Sequence, residues 1–508
     1  MQNSNNSRVL GVLLVVPASL LVGLWVMTNP TGAISGLSKL ITIFIALVTL
    51  ISPKKGLFFI IPQILYTDEI KRLAVAYGAV SYSTVYEVLL GPIISLSLLN
   101  VGYLAGVALG RNKLSRQWIY AMLLIGAISL AVFASETGGI PKRGQAALNI
   151  GLYLTIIPMM GVLIQDPDEA RKVMKAQIWW AVPSILWGIQ QYYFGFNSIE
   201  WQYARTGLSP THSAQMLGMS DPRPFGLFGS ATGYSCIGIY AALALLYTFK
   251  NHRFNFGYAL IFAISLWAIY GYKGRGLILV VPIIFLTAFC FKSRLRTWLY
   301  YLLGGGTLLG GIAFSERILY GGGIDWANQF IAVNTPWGRD VLTFNTFSDR
   351  LKGWAMLTKA STYSAFGNLF KKADEIRIIS YKDTDYRHDI LTSIVINTGV
   401  VGLGVFLAIV VTVLVKAHGP LLAIKNSATR WEASVALACA FTVSALSVTT
   451  GNVFSTTPIN FQIWTAVGTF LVLSQSAREE AQEEETREPT SAPWRQARLP
   501  ARNAPRLA

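Results

Sequence analysis

Residues 257–291 read GYALIFAISLWAIYGYKGRGLILVVPIIFLTAFCF, two apolar runs joined by a short turn that carries Lys273 and Arg275. A helix needs about 20 apolar residues to cross the hydrocarbon core of a bilayer. Each run approaches that length, contains no acidic residue, and belongs to an apolar pattern that recurs from Val9 to Leu473. The stretch therefore predicts two membrane-crossing helices joined by a tight turn.

The composition of the whole chain indicates a membrane protein. Of the 508 residues, 53% are hydrophobic and only 13% are charged, whereas a soluble domain carries roughly 25% charged residues. This balance excludes a set of soluble domains, a disordered chain, collagen, a coiled coil and a disulfide-stapled scaffold. The three cysteines lie singly inside apolar runs without CxxC spacing, which indicates buried thiols rather than a zinc site.

Apolar runs that suit a membrane span occur about 14 times along the chain. The predicted fold class is all-α: a polytopic integral membrane helix bundle of about 14 transmembrane helices with a long, partly helical periplasmic loop. The run 56–66 is short and contains Pro62, but the charges of the loops around it require an extra crossing. The predicted spans are 9–27, 34–51, 56–66, 84–109, 118–134, 146–164, 176–195, 229–249, 257–271, 276–291, 297–314, 390–415, 431–450 and 458–475.

The charges of the loops predict the orientation. Seventeen Lys and Arg residues fall in seven short segments on one side, whereas the six short loops on the other side carry eight. Because basic loops remain in the cytoplasm, the first side is predicted to be cytoplasmic, with both termini inside. The net charge of +17 follows from this arrangement and does not indicate nucleic-acid binding. The basic segments are Arg8, Lys54–Lys55, 111–116, 171–175, 250–253, 292–296 and 416–430.

Two polar segments interrupt the spans, residues 196–228 and the longer 315–388, and both are predicted to lie on the periplasmic side. A long ordered loop in a compact protein usually carries function. Within the second segment, the spacing of apolar residues predicts a helix over 350–366. The predicted domains are a transmembrane unit over 1–475 and a charged, proline-containing cytoplasmic tail over 476–508 that is expected to be disordered.

Several familiar motifs are missing or stand in the wrong context. The sequence GVVGLG at Gly399–Gly404 lies inside an apolar run with no preceding strand, so it does not indicate a dinucleotide site. There is no GxxxxGK(S/T) sequence, and no HExxH or paired Asp/His spacing predicts a metal site. Apart from Glu87 the spans hold few acidic residues, whereas ion-coupled transporters commonly bury carboxylates at mid-membrane. We therefore expect no cofactor and no metal.

Four residues on the predicted outer side form a candidate site. They are Arg223 in DPRPFGLFG, Arg275 in GYKGRGL, Arg350 in SDRLKGW and His388 in RHDILTS. Arginines bind two phosphate oxygens through a planar fork and stabilise the charge that develops on a diphosphate leaving group. A histidine with a pKa of about 6.5 accepts the proton of an attacking hydroxyl. The set suits glycosyl transfer from a lipid-linked diphosphate, although arginines at span ends also snorkel to lipid headgroups.

The order of these motifs resembles the O-antigen ligase and O-antigen polymerase superfamily. The motifs all lie within residues 220–410. An R-P-x-G segment enters a helix, and a G-R-G turn follows two helices later. A long outer loop then carries R-x-x-x-W, and after it H-D-x-L precedes G-x-x-G-L. The resemblance implies that Arg223, Arg275 and His388 are the catalytic residues of a metal-independent, inverting glycosyltransferase.

The chain departs from the family pattern at two positions. The turn more often reads S-R-G or S-R-S, and here Lys273 stands two positions before Arg275. The histidine is more often followed by asparagine, and here Asp389 follows His388. Asp389 either orients the histidine or is itself the base, so both remain candidates. Arg350, Asp389 and Lys273 are expected to contact the substrate.

The resemblance implies that the chain polymerises or transfers undecaprenyl-diphosphate-linked oligosaccharides at the periplasmic face of a bacterial inner membrane. We favour a polymerase of an exported polysaccharide, because nothing in the sequence points to a lipid A acceptor. The first alternative is an O-antigen ligase that acts on lipid A core. The alternative from another class is a transporter of lipid-linked glycan or a small anion, although only scattered polar residues such as Gln190 and Gln191 lie within the spans. The expected partners are the lipid-linked glycan, membrane lipids and a chain-length regulator or other export protein, with no nucleic acid.

Overall fold

Helices make up most of the described chain. The computed structural model describes residues 30–76, 82–135, 140–205, 224–228, 234, 236–249, 253–271, 275–320, 330–335, 338–343, 353–359, 364–367, 380–381, 384–385, 390–450 and 457–487. The helices are α1 (Pro30–Ile51), α2 (Pro53–Ala76), α3 (Tyr82–Ala108), α4 (Arg116–Ser135), α5 (Ile140–Leu154), α6 (Ile156–Leu163), α7 (Pro167–Phe194), α8 (Ser198–Arg205), α9 (Ile237–Thr248), α10 (Phe256–Gly271), α11 (Arg275–Phe291), α12 (Arg294–Ala313), α13 (Ser315–Tyr320), α14 (Ile390–Ala423), α15 (Ser427–Thr450) and α16 (Ile459–Arg487). The strands between α13 and α14 are β1 (Phe330–Thr335), β2 (Gly338–Thr343), β3 (Ser380–Tyr381) and β4 (Thr384–Asp385).

Every predicted span that reaches into the described ranges contains a helix there, and the first predicted span, 9–27, lies outside them. In the part of the chain that the structure describes, four stretches are long and apolar enough to cross a membrane: Ile34–Ile51, Val88–Ala108, Arg116–Ala134 and Arg143–Leu163. Shorter apolar helices lie at Ile237–Thr248, Phe256–Gly271, Leu279–Phe291 and Ile394–Ala408. The chain thus has the helices of a membrane protein, and the total of about 14 spans stays a prediction.

The short predicted span 56–66 is part of a longer helix. α2 has 24 residues and runs through Pro62 without ending. At about 1.5 Å per residue, a helix of this length measures about 36 Å, which is enough to cross about 30 Å of hydrocarbon. Its last part reads TDEIKRLAVA, and two of the charged residues in this part, Lys71 and Arg72, are buried. The charged end of α2 is therefore held inside the protein.

Two parts of the structure differ from the sequence prediction. In the long loop, β1 and β2 form an antiparallel hairpin with Phe330 opposite Thr343, in a segment for which the sequence analysis predicts no regular element. Their sequences, FIAVNT and GRDVLT, contain several β-branched residues, which favour strands. At the end of the chain, α16 continues to Arg487, although the tail after Ser476 is predicted to be disordered. The sequence AREEAQEEETR consists mostly of strong helix formers, and an existing helix extends readily into them.

Among the described residues, the largest apolar cluster is built mainly from α2, α3, α6, α7, α9, α10, α11, α15 and α16. Large apolar side chains of α1, α4 and α12 face outward instead. Among them, Leu123, Leu130 and Leu302 are 67%, 71% and 73% exposed. An outward apolar surface suits contact with lipid, because lipid tails are as apolar as leucine side chains.

Polar contacts at one end of the bundle fix which helix ends meet. Lys54 at the start of α2 pairs with Glu169 at the start of α7. Arg171 of α7 donates from Nε to Glu432 Oε2 at 2.6 Å, near the start of α15. Further contacts at this end are Lys175 with the Tyr247 ring, Lys292 with the Trp431 ring and Ser476 with the Gln165 carbonyl.

We call this end, where Lys54, Arg171 and Lys292 lie, the basic end. The segments that meet there are among those whose charges predict a cytoplasmic position. The contacts at the basic end involve the starts of α2, α7 and α12 and the ends of α9, α11 and α14, so the other ends of these helices lie at the opposite end of the bundle. Which end faces the cytoplasm stays a prediction from the charges.

Removing the charge of Glu432 should destabilise the bundle more than removing that of Asp168, although both carboxylates bind Arg171. Glu432 is 5% exposed, whereas the side chain of Asp168 is 70% exposed. Removing one partner of a buried pair costs up to about 3–5 kcal/mol, and an exposed pair is worth about 0–1 kcal/mol. We expect Glu432→Gln to lower the thermal unfolding midpoint of the purified protein clearly more than Asp168→Asn. Equal shifts would show that burial does not set the strength of this contact.

Candidate functional site

The predicted site lies largely outside the described residues. Arg275 is the first residue of α11. The other predicted site residues, Arg223, Lys273, Arg350, His388 and Asp389, fall outside the ranges that the structure describes. The roles of all six stay predictions, and the described segments beside them give the surroundings of the site.

The turn 224–228, which directly follows Arg223, is held by side chains of α7. Three backbone amides of the turn donate hydrogen bonds to these side chains: those of Phe225, Gly226 and Leu227. Gln191 Oε1 accepts hydrogen bonds from the first two at 2.9 and 2.8 Å. Ser184 Oγ accepts the third at 2.8 Å. A helix of the bundle therefore fixes the backbone that follows the first predicted arginine.

Gly226 allows this turn to lie close to α7. Its φ is +56°, a backbone region that residues with a Cβ rarely adopt. A Cβ at this position would lie 2.5 Å from Ser184 O and 2.6 Å from Tyr234 Cε2. The position therefore requires glycine, both for its conformation and for the space around it.

The carbonyl of Gly226 leads into a buried charged cluster, Glu69, Arg72, Gln191 and Glu200, which we call the Arg72 network. Arg72 Nη2 donates to Gly226 O at 3.1 Å and lies 2.7 Å from Glu69 Oε2. Arg72 Nη1 lies 3.6 Å from Glu200 Oε1, and the side chains of both residues are 1% exposed. Gln191 Nε2 donates to the same Glu200 oxygen at 2.6 Å. The network joins the end of α2, the end of α7, α8 and the turn.

The charges in and beside the Arg72 network show what it can bind. Lys71 pairs with Asp68 at 2.6 Å, so three carboxylates face two cations. With acidic groups in excess, the cluster suits the retention of its own arginine rather than the binding of a diphosphate.

The start of α11, at Arg275, lies at the same end of the bundle as this turn. Tyr234, which precedes α9, lies against Gly226. Gly238, in the first turn of α9, faces α11, and a Cβ there would lie 2.9 Å from Val280 Cγ1. Because Val280 belongs to the second turn of α11, α9 and α11 leave this end of the bundle side by side.

A second apolar cluster joins the long loop to α14. Trp354, four residues after Arg350, packs in this cluster with Leu391, three residues after His388. The members are Trp354, Leu357, Leu391 and Val395, with Leu308 and Ile312 at the end of α12 packed against them. Of the helix predicted over 350–366, the described part is helical over 353–357. This short helix connects the chain next to one predicted site residue with the chain next to another.

α14 is broken at Gly399, where φ is +67° and ψ is −161°. The break leaves the amides of the following turn without helical acceptors. The long loop supplies them: Val400 N donates to Ser364 O at 3.0 Å, and Val401 N donates to Ala365 O at 3.2 Å. The loop is therefore docked on the same helix whose first turn follows His388.

Four segments that flank the predicted site residues thus reach one end of the bundle. They are the turn 224–228, the start of α11, the short helix 353–357 and the start of α14. Among the residues that the structure describes, no group of three or more His, Cys, Asp or Glu side chains is arranged to hold a metal ion.

The sequence prediction did not include the Arg72 network. One signal was present, because DEIKR at 68–72 and Glu200 place charges directly beside apolar runs on the predicted outer side. Charged residues beside apolar runs commonly lie among lipid headgroups or in water. The sequence alone therefore does not distinguish these residues from ordinary surface charges. Only the fold brings residues 72, 191 and 200 together.

Comparison with known proteins does not assign the chain to a family. Neither a protein-family model, nor a curated protein, nor a solved structure matches it. The likeness to the O-antigen ligase and polymerase superfamily therefore depends on the motif pattern alone.

Replacing Gly399 with alanine should weaken the docking of the long loop. A Cβ at this position would lie 2.5 Å from Gly367 N, and a backbone conformation reserved for glycine costs other residues about 1–3 kcal/mol. We expect Gly399→Ala to lower the thermal unfolding midpoint and to make the loop more sensitive to protease.

The matched control is Gly404→Ala in the same helix, because a Cβ at Gly404 meets no atom within 4 Å. Alanine in a helix is favoured over glycine by up to about 1 kcal/mol, so this variant should be neutral or slightly more stable. Identical behaviour of the two variants would contradict the docking of the loop at the helix break.

Proposed function

We propose that the chain is a membrane glycosyltransferase that polymerises undecaprenyl-diphosphate-linked oligosaccharides at the periplasmic face of a bacterial inner membrane. The proposed arrangement has about 14 transmembrane helices and both termini in the cytoplasm. The observation that supports the proposal is that segments flanking Arg223, Arg275, Arg350 and His388, distant in sequence, reach the same end of the bundle, opposite the basic end.

A lipid-linked donor requires a polar site beside an apolar surface, and α12 offers such a surface. Leu302, Leu303 and Leu309 are 73%, 67% and 68% exposed. The end of the same helix packs against the apolar cluster that contains Trp354 and Leu391. In the proposed complex the polyprenyl tail lies along α12, and its diphosphate reaches the arginines at the helix ends.

In the proposed reaction, the acceptor hydroxyl attacks the anomeric carbon of the donor sugar while the bond from that carbon to the diphosphate oxygen breaks, with inversion. Arg223 and Arg275 stabilise the charge that develops on the departing undecaprenyl diphosphate. His388 or Asp389 takes the proton of the hydroxyl. Arg350 contacts the donor from the long loop.

Substitutions of Arg275 and His388 should impair the reaction in different ways. Arg275→Lys keeps the charge but loses the planar fork, and loss of about 2–4 kcal/mol of charge stabilisation slows transfer roughly 30- to 1,000-fold. His388→Ala should bind the donor nearly normally and lose about 10²–10⁴-fold in rate. The measurements are in vitro polymerisation of a lipid-diphosphate-linked repeat with EDTA present, and donor binding measured separately.

Three results would count against this mechanism. Full activity of the double variant His388→Ala, Asp389→Ala would exclude both residues as the base. Loss of activity in EDTA with recovery on addition of a divalent cation would assign the charge stabilisation to a metal. Transfer to lipid A core without polymerisation would identify a ligase instead.

The orientation is tested by labelling single cysteines in a background that lacks Cys236, Cys290 and Cys439. A membrane-impermeant maleimide applied to intact spheroplasts should label Asn345→Cys, in the proposed outer loop. It should label Leu114→Cys, in a proposed cytoplasmic loop, only after the membrane is permeabilised. The reverse pattern would invert the orientation and contradict a periplasmic site.

A further inference from the structure

The Arg72 network has no part in the proposed reaction, yet it keeps charged groups away from water. Arg72 and Glu200 are each 1% exposed, and an ion is removed from water only at a considerable free-energy cost. Ionisable groups in the membrane region of a protein are rare and commonly serve function. Within the protein, Arg72 and Gln191 of this network bind the turn that follows Arg223.

We propose that Gln191, Ser184 and Arg72 are positioning residues that fix the turn 224–228 and thereby hold Arg223 at the site. The role of Arg223 itself rests on the proposed function. The positioning residues act through the backbone of the turn and do not touch the substrate.

The first argument is the way in which the turn is bound. Three successive amides and one carbonyl of the turn bond to side chains of two different spanning helices, α2 and α7. Gln191 and Ser184 are 4% and 0% exposed, so water does not compete for these bonds. The turn therefore takes its position from the helix bundle. Pro224, the first described residue of the turn, is buried as well.

The second argument is that the amide of Gln191 is itself held in one orientation. Its Nε2 donates to Glu200 Oε1 at 2.6 Å, and Trp187 Nε1 donates to the same oxygen at 2.6 Å. Glu200 Oε2 accepts from Asn197 N at 2.7 Å. With its nitrogen bound to a carboxylate, the oxygen of Gln191 faces the turn. Glu200 therefore orients Gln191 and does not itself contact the substrate.

Hydrogen exchange of the turn tests the anchoring without reference to activity. In Gln191→Met, we expect the amides of the peptide containing 224–228 to exchange at least about 10-fold faster, because the loss of acceptors lowers the free energy of local opening. The matched control is Gln190→Met, because no described group bonds to Gln190 Oε1. In this variant, exchange of the amides of the turn 224–228 should be unchanged. Ser184→Ala is a second, smaller variant that should raise exchange at Leu227. Unchanged exchange in both Gln191→Met and Ser184→Ala would overturn the proposal.

A double-mutant cycle on donor binding tests the link to Arg223. The probe is the undecaprenyl-diphosphate-linked repeat, titrated against wild type, Gln191→Met, Arg223→Ala and the double variant. We expect Gln191→Met to raise Kd about 10-fold in wild type and to have no further effect with Arg223→Ala, because the two act through one contact. Equal weakening in both backgrounds would show a general structural role and overturn the link. A wild-type protein that binds no donor would overturn the proposed function and this link together, while the exchange result would still decide whether the turn is anchored.

Discussion

The guanidinium of Arg72 lies between the carboxylates of Glu69 and Glu200 and the carbonyl of Gly226, with almost no contact with water. A buried cation needs such partners, because the cost of removing it from water is several kcal/mol. The partners come from α2, from α8 and from the turn 224–228, so the position of each depends on the same charge. Gln191 extends this arrangement from α7 by binding both Glu200 and the turn. Removing the charge would leave four parts of the chain without their common contact.

The two ends of the bundle are built in different ways. At the basic end, ion pairs such as Arg171 with Glu432 join the ends of regular helices. At the opposite end, irregular backbone lies inside the protein: the turn 224–228 and the break at Gly399. Backbone amides away from water need partners. Side chains supply them at the turn, and the long loop supplies them at the break. Irregular backbone of this kind is tolerated at membrane depth only where protein or a cavity surrounds it.

The sequence predicts an element well when the interactions that form it join residues close together in the chain. Apolar runs predicted the positions of the helices, because burial in lipid or protein acts on each run separately. The hairpin of β1 and β2 is not predicted, because two short paired strands leave no helical periodicity in the sequence. The helical extension of α16 to Arg487 differs from the prediction, because a helix that has already formed extends into the strong helix formers before Glu488 despite their charge. Of the helix predicted over 350–366, residues 353–357 are helical, whereas the other described residues, 358–359 and 364–366, are not.

The sequence by itself determined that this is a helical membrane protein, and it predicts which segments cross and which motifs are candidates for chemistry, since these follow from hydropathy and local spacing. It also indicated the grouping of loops by charge. Only the tertiary structure decided that the residues beside Arg223 are held by Gln191 and Arg72, and that the chain after His388 is docked to the long loop. The reason is that the contacts of the first case join residues 34 positions apart, as between Gln191 and Phe225, and up to 154 positions apart, as between Arg72 and Gly226. No local pattern records a contact of that range, because it exists only when separate helices have packed.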